Sequence, residues 1–190
     1  MKKNLDYLVI FGIVITCISI LLFFWFILPK EVNYNNRERE YLMLNNETMI
    51  CDFNYICFFI DGKWHKPSYN AGVNLIIANR LNITNEELIK KFFNNNKINL
   101  VLNTTPAIVE TMPFAYYLSY YYNTFKKELK EINSYTLSQY NSTEPALIIL
   151  GPNPELEDSI KVEGRNLVIK SRSRESLSML LGKLLLIIVM

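Results

Sequence analysis

Residues 7–28 read YLVIFGIVITCISILLFFWFIL, an uncharged run between Lys2, Lys3 and Asp6 on one side and Lys30 and Glu31 on the other. At ~1.5 Å rise per residue such a run spans roughly 33 Å as a helix, about the thickness of a bilayer's hydrocarbon core. Phe23, Phe24, Trp25 and Phe26 crowd one end and Tyr7 marks the other, as in an interfacial aromatic belt. A buried core helix of this length would carry a polar face. A cleaved signal peptide would be shorter and end at small residues, whereas Phe26-Ile27-Leu28-Pro29-Lys30 offers no such site. The run is therefore expected to be an uncleaved signal-anchor. Gly12 stands alone in it, so it carries no GxxxG dimerisation signal. The expected organisation is a cytoplasmic tail over 1–6, a transmembrane helix over 7–28, a polar tether over 29–40 and an extracytoplasmic mixed α/β domain over 41–190.

Flanking charge does not orient the span, because Lys2 and Lys3 face Lys30, Arg37 and Arg39 across it. Two other features place the N-terminus inside and the domain outside, in a single-pass cell-membrane protein. Acceptor sequons for N-glycosylation begin at Asn46, Asn82, Asn103 and Asn141, and all use Thr. Asn103 is the weakest of them, since Pro106 follows its sequon. Cys51 and Cys57 fall opposite each other if a hairpin turns through Phe53-Asn54-Tyr55. A disulfide closing so short a loop would contribute ~2.4 kcal/mol through loop-closure entropy. The alternative is a pair of free core thiols.

From Glu31 onward the chain carries 17 Lys+Arg and 17 Asp+Glu. A neutral domain has no electrostatic footprint for nucleic acid or anionic lipid. Hydrophobic residues make up 50% of the chain, which suits a packed domain rather than disorder. The length fits one core.

Strands are expected over Tyr41–Leu44 and from Met49 to Trp64, with turns at Asn45-Asn46 and Asp61-Gly62. Val73 to Asn79 reads as another strand. Thr84-Asn85-Glu86-Glu87 resembles a capping box ahead of a helix with Leu88, Ile89, Phe92 and Phe93 as its apolar stripe. A strand over Ile98–Leu102 follows. Pro106 then starts a helix that Pro113 kinks or restarts and that runs to about Ile132. Ala146 to Leu150 reads as a buried strand. Ile160–Glu163 and Asn166–Lys170 form a hairpin around Gly164-Arg165, with Val162 opposite Leu167 and Ile160 opposite Ile169. Ser173 caps a last helix to about Val189, too short to span a bilayer and expected to lie flat on the sheet. The sum is an α/β or α+β fold: a mixed sheet with packed helices behind one N-terminal transmembrane helix.

Common catalytic constellations are missing from the sequence. His65 is the single histidine, so a zinc site with Cys51 and Cys57 would lack a good fourth ligand. It reads as an exposed loop residue in Lys63-Trp64-His65-Lys66-Pro67. Neither GxGxxG nor GxxxxGK[ST] occurs. Gly151-Pro152-Asn153-Pro154 follows a strand, but its prolines remove donors that a phosphate would need, so it reads as a rigid turn. The two cysteines are not a CxxC pair. No metal or cofactor is expected. The run Phe114-Ala115-Tyr116-Tyr117-Leu118-Ser119-Tyr120-Tyr121-Tyr122 suggests a stacking platform for a sugar or an apolar partner, with Tyr116, Tyr117, Tyr120 and Tyr121 as interface residues. Its plainer reading is a central helix wedged between sheet and loops.

Three segments carry a resemblance: Ile148-Ile149-Leu150-Gly151-Pro152-Asn153, then Val162-Glu163-Gly164, then Lys183-Leu184-Leu185-Leu186-Ile187-Ile188-Val189. Together they resemble the C-terminal quarter of small uncharacterised membrane-anchored proteins of methanogenic and related archaea. In those proteins an apolar strand, a G-P-N turn, a hairpin and a terminal helix recur. Pro154-Glu155 stands here where a T-G pair is usual. The resemblance implies the same architecture and no activity.

The resulting expectation is a non-enzymatic single-pass membrane protein. Its lipid contact runs through 7–28, and its external domain binds or scaffolds an envelope component, a glycan or a membrane partner, with no nucleic acid. The alternatives are a membrane-tethered enzyme with a site near His65 or the Gly151 loop, and a subunit of a larger membrane complex that docks through Tyr116 to Tyr122.

Overall fold

The computed structural model describes residues 30–31, 42–140 and 143–190. The expected span, most of the tether and the sequon at Asn141 lie outside the described residues. No helix among the described residues is long and apolar enough to cross a membrane.

Among the described residues, two five-stranded sheets and four helices make up the fold. The first sheet is wholly antiparallel. It contains β1 (Lys30–Glu31), β2 (Leu42–Met43), β3 (Thr48–Asp52), β4 (Tyr55–Ile60) and β5 (Lys63–Lys66), in the order β1-β5-β4-β3-β2. The second sheet is mixed. It contains β6 (Lys97–Leu102), β7 (Glu131–Thr136), β8 (Ala146–Leu150), β9 (Ser159–Glu163) and β10 (Asn166–Lys170), in the order β7-β6-β8-β10-β9. β7, β6, β8 and β10 run parallel, and β9 is antiparallel to β10. The helices are α1 (Leu75–Asn79), α2 (Glu86–Phe93), α3 (Thr105–Ser119, continued by a π-helical turn over Tyr120–Phe125) and α4 (Arg174–Val189).

The mixed α/β expectation holds, but one sheet has become two. The reason lies in α4. Every residue from Leu180 to Val189 is buried. A helix lying flat on one sheet would leave a side in water. Instead, one core cluster joins α4 to Ile50, Ile56 and Phe58 of the first sheet, to Leu147, Ile149, Leu167 and Ile169 of the second, and to Phe114 and Leu118 of α3. The helix is apolar all round because it is enclosed all round. The one cation of this buried stretch, Lys183, donates to the Asn79 carbonyl at 3.3 Å and pairs with Glu86 at 3.5 Å. At its C-terminal end, Asn45 Nδ2 and Thr48 Oγ1 donate to the Val189 carbonyl at 2.8 and 3.4 Å, satisfying a helix-end acceptor from the first sheet.

The β9–β10 hairpin has the expected register, with Val162 opposite Leu167 and Ile160 opposite Ile169. Ser173 caps α4 as expected and forms a reciprocal capping box with Ser176. Thr104 caps α3, with Pro in its first turn. Cys51 and Cys57 are disulfide-bonded across the β3–β4 hairpin, with Cα atoms 5.6 Å apart.

Four further expectations are overturned. The strand expected over Val73–Asn79 is the short helix α1, because the Asn74 side chain accepts the N–H groups of Ile76 and Ile77 and so starts a helical turn. The capping box at Thr84–Glu87 does not form: Asn85 holds the N-cap position at φ 66° without a side-chain cap bond. The helix expected to reach Ile132 ends at Phe125, and Glu131–Thr136 is β7, paired along its length with β6. His65 is not in a loop; it lies on β5 as the cross-strand partner of Phe58.

Candidate functional site

The first sheet has two distinct ends. At one, the β2–β3 connection and the Asp61-Gly62 turn lie together, as the pairings Thr48–Phe58 and Ile60–Lys63 require. At the other, the Phe53-Asn54 turn meets the chain leaving β5. The Ala71 N–H donates to the Asn54 carbonyl and the Leu75 N–H to the Phe53 carbonyl, both at 2.7 Å. This second end carries the candidate site.

The site is an open groove of about 450 Å³ between the 69–70 segment and α3, lined by Tyr69, Asn70, Val109, Met112, Pro113 and Tyr116. The α3 contributors fall at i, i+3, i+4 and i+7, one stripe along the helix. A second stripe of α3, with Ala107, Phe114 and Leu118, faces the core. The helix is thus apolar on two sides, and one of them is uncovered: Tyr69 and Met112 are each 65% exposed and Val109 57%. Tyr69 stands edge-on to Tyr116, with ring centroids 4.8 Å apart. Burial pushes the Tyr116 hydroxyl upward in pKa, and hydrogen bonding to Ser68 opposes that shift. Pro113 has no N–H to offer the Val109 carbonyl, so a backbone acceptor is released from the helix ladder here. Gly72 lies close to the same proline, where a Cβ would meet its ring at 3.1 Å.

Of the four tyrosines expected to form an interface, only Tyr116 lines the groove. Tyr117 is fully buried, and its hydroxyl lies against the Ile56 backbone without good hydrogen-bond geometry. Tyr121 is buried and stacks on Phe125 at 5.7 Å. Tyr120 turns toward Phe58 at 5.3 Å, and its hydroxyl has no hydrogen-bond partner among the described residues. The π-helical turn explains this: i→i+5 bonding brings residues five apart onto one side, so Tyr120 and Phe125 both reach Phe58, the latter at 5.1 Å. The plainer reading, a central wedged helix, holds for most of the run. Tyr69, Val109 and Met112 carried no signal in the sequence, because isolated apolar residues gain meaning only when neighbours leave them uncovered.

The buried tyrosines make the domain alkali-sensitive. Burial pushes Tyr120 and Tyr121 up to about 12 from an ordinary 10.0, and it raises Tyr117 and Tyr122 as well. Between pH 10.0 and about 12 the unfolded chain releases protons that the fold retains, so stability falls as pH rises through that window. Urea midpoints followed by circular dichroism should decline above pH 10.0 together with the rise of tyrosinate absorbance. Midpoints that stay level across the window would contradict the burial of these hydroxyls.

Among the described residues, no three His, Cys, Asp or Glu gather where a metal could bind. His65 Nδ1 is buried and has no hydrogen-bond partner among the described residues. The Gly151 turn sits at the carboxyl ends of β6, β8 and β10, where α/β folds commonly hold ligands. Here it is tied shut. Gly151 N–H donates to Asn103 Oδ1, Thr104 Oγ1 donates to the Gly151 carbonyl, and the Asn153 N–H donates to the Ser171 carbonyl, at 3.0, 3.0 and 2.9 Å. The disulfide lies on the opposite face of the first sheet beside Met49, Tyr55 and Trp64, with Cys57 fully buried. Asn46, Asn82 and Asn103 are exposed, although the Asn103 side chain is engaged with Gly151.

Compared with known proteins, the chain matches no family model, no curated protein and no solved structure.

Proposed function

We propose that the chain is a single-pass membrane protein whose domain binds or scaffolds through the Tyr69–Met112–Tyr116 groove rather than catalysing a reaction. The observation that carries this reading is the uncovered second stripe of α3. Large apolar side chains stand in water beside a cavity of about 450 Å³, whereas the apolar stretch of α4 is enclosed. The rings of Tyr69 and Tyr116 supply broad contact area with polar tips, and few rotamers are lost when they are covered. The uncharged run over 7–28 supports the membrane assignment, and the exposed sequons at Asn46 and Asn82 support an external placement.

Methionine oxidation tests whether the groove is occupied. Met112 and Met43 are both well exposed, at 65% and 49%, and Met43 lies on the edge strand β2, across the first sheet from β5. A thioether open to solvent oxidises readily to the sulfoxide. In native membranes treated with dilute peroxide, mass spectrometry should find Met112 oxidised severalfold more slowly than Met43. Equal rates would mean that nothing covers the groove.

A further inference from the structure

The way the chain enters the first sheet names the occupant of the groove. β1 pairs with β5 in antiparallel register, Lys30 opposite Lys66 and Glu31 opposite His65. The chain therefore joins the sheet at the end where β5 departs for Pro67 and Tyr69. The expected span stops at Leu28, two residues before Lys30. Two residues reach at most ~7 Å. The headgroup layer adds roughly 5–7 Å to each side of the hydrocarbon core. A domain held by so short a link cannot stand off from the bilayer, and its Lys66 end lies within the headgroup layer. That end carries Tyr69, three residues beyond Lys66, and through the Tyr69–Tyr116 ring contact the exposed stripe of Val109 and Met112. Phe53, 56% exposed, is on the turn tied to the same loop.

The geometry points to the bilayer surface as the partner of the groove: the domain lies with Phe53, Tyr69, Val109 and Met112 inserted at the level of the lipid headgroups. This rests on reading 7–28 as a span and the groove as a docking surface. The composition suits it, since tyrosine concentrates at membrane interfaces and apolar side chains bury there while the backbone stays hydrated. The domain is neutral overall, so apolar insertion next to a covalent anchor, rather than attraction to anionic lipid, holds it in place. The link leaves the groove no room to receive a large soluble partner from the aqueous side.

The test uses the full chain, with Cys17→Ser so that the bonded Cys51–Cys57 pair leaves no other thiol, reconstituted into phosphatidylcholine vesicles. One variant adds Met112→Cys and another Asn46→Cys, each labelled with a polarity-sensitive fluorophore. Asn46 is exposed on the β2–β3 connection, at the far end of β4, whose six residues extend roughly 20 Å. Lipid spin-labelled near the headgroup should quench the Met112→Cys probe severalfold more than the Asn46→Cys probe, with a blue-shifted emission for the former. Equal quenching, or disulfide-linked dimers of unlabelled Met112→Cys in place of lipid contact, overturns the proposal. If Met112 is nevertheless protected from peroxide in native membranes, the groove binds something other than lipid, and the docking reading survives alone. Release of the full chain from vesicles by alkaline carbonate removes the span and this inference together.

Discussion

Leu184→Ala is expected to lower the unfolding free energy of the domain by about 3–5 kcal/mol, a large share of the ~5–15 kcal/mol that typically holds a domain together. Leu184 is fully buried, and its neighbours Leu181, Leu185, Leu186 and Ile187 are buried too. Large-to-small substitutions cost most where the surroundings cannot collapse into the void. A helix flanked by two sheets and α3 has no open side from which to relax. Urea titration of the full chain in detergent, followed by near-ultraviolet circular dichroism, would measure the loss. Ile77→Ala on α1 is the comparison, since that side chain is half in water, and its cost should be a small fraction of the Leu184 value. Equal costs for the two would contradict the enclosed position of α4.

Gly151→Ala is expected to cost about 3 kcal/mol or more, a large share of the stability of an ordinary domain. A Cβ at this position would stand 2.2 Å from the Ser171 carbonyl oxygen, which is backbone and cannot swing aside. The residue also holds φ +114°, a conformation that side chains disfavour. Gly62→Ala separates the two causes. Gly62 is at φ +82° with nothing near a new Cβ, so it should lose only about 1–2 kcal/mol. Thermal melts of the two variants beside the parent chain would show the difference. A Gly151→Ala protein as stable as the Gly62→Ala one would mean that the carboxyl ends of β8 and β10 are not packed as closely as described.

Local chemistry made part of this fold legible. The hairpin over β9 and β10 was readable because Gly164-Arg165 fixes the turn and the two-residue period fixes the facing pairs. Ser173 marked the start of α4 in the same way. Errors arose where a distant partner or a single side chain outweighed the local pattern. Lys126 to Ile132 is rich in helix formers, yet β7 forms because β6 offers a parallel ladder along all six of its residues. Leu75-Ile76-Ile77 favours a strand, yet one Asn74 carboxamide is enough to turn it into α1. The division into two sheets was hidden because a strand's sequence shows which face is apolar but not which strands will pair. The groove was legible only at Tyr116. Its other wall depends on where the chain after β5 comes to rest, and that is decided by two backbone bonds to the Phe53-Asn54 turn.

The central position of α4 has a consequence for biosynthesis. Every strand of both sheets precedes Arg174 in the chain, so all of them leave the ribosome before the helix that separates them. Until that helix emerges, the core that joins Ile50, Ile56 and Phe58 on one side to Leu147, Ile149, Leu167 and Ile169 on the other is incomplete. The growing chain would therefore hold two half-finished layers and complete them only after translation has passed Val189, whose carbonyl is then captured by Asn45 and Thr48. Holding unfinished sheets exposed through most of synthesis is the situation in which chaperones act.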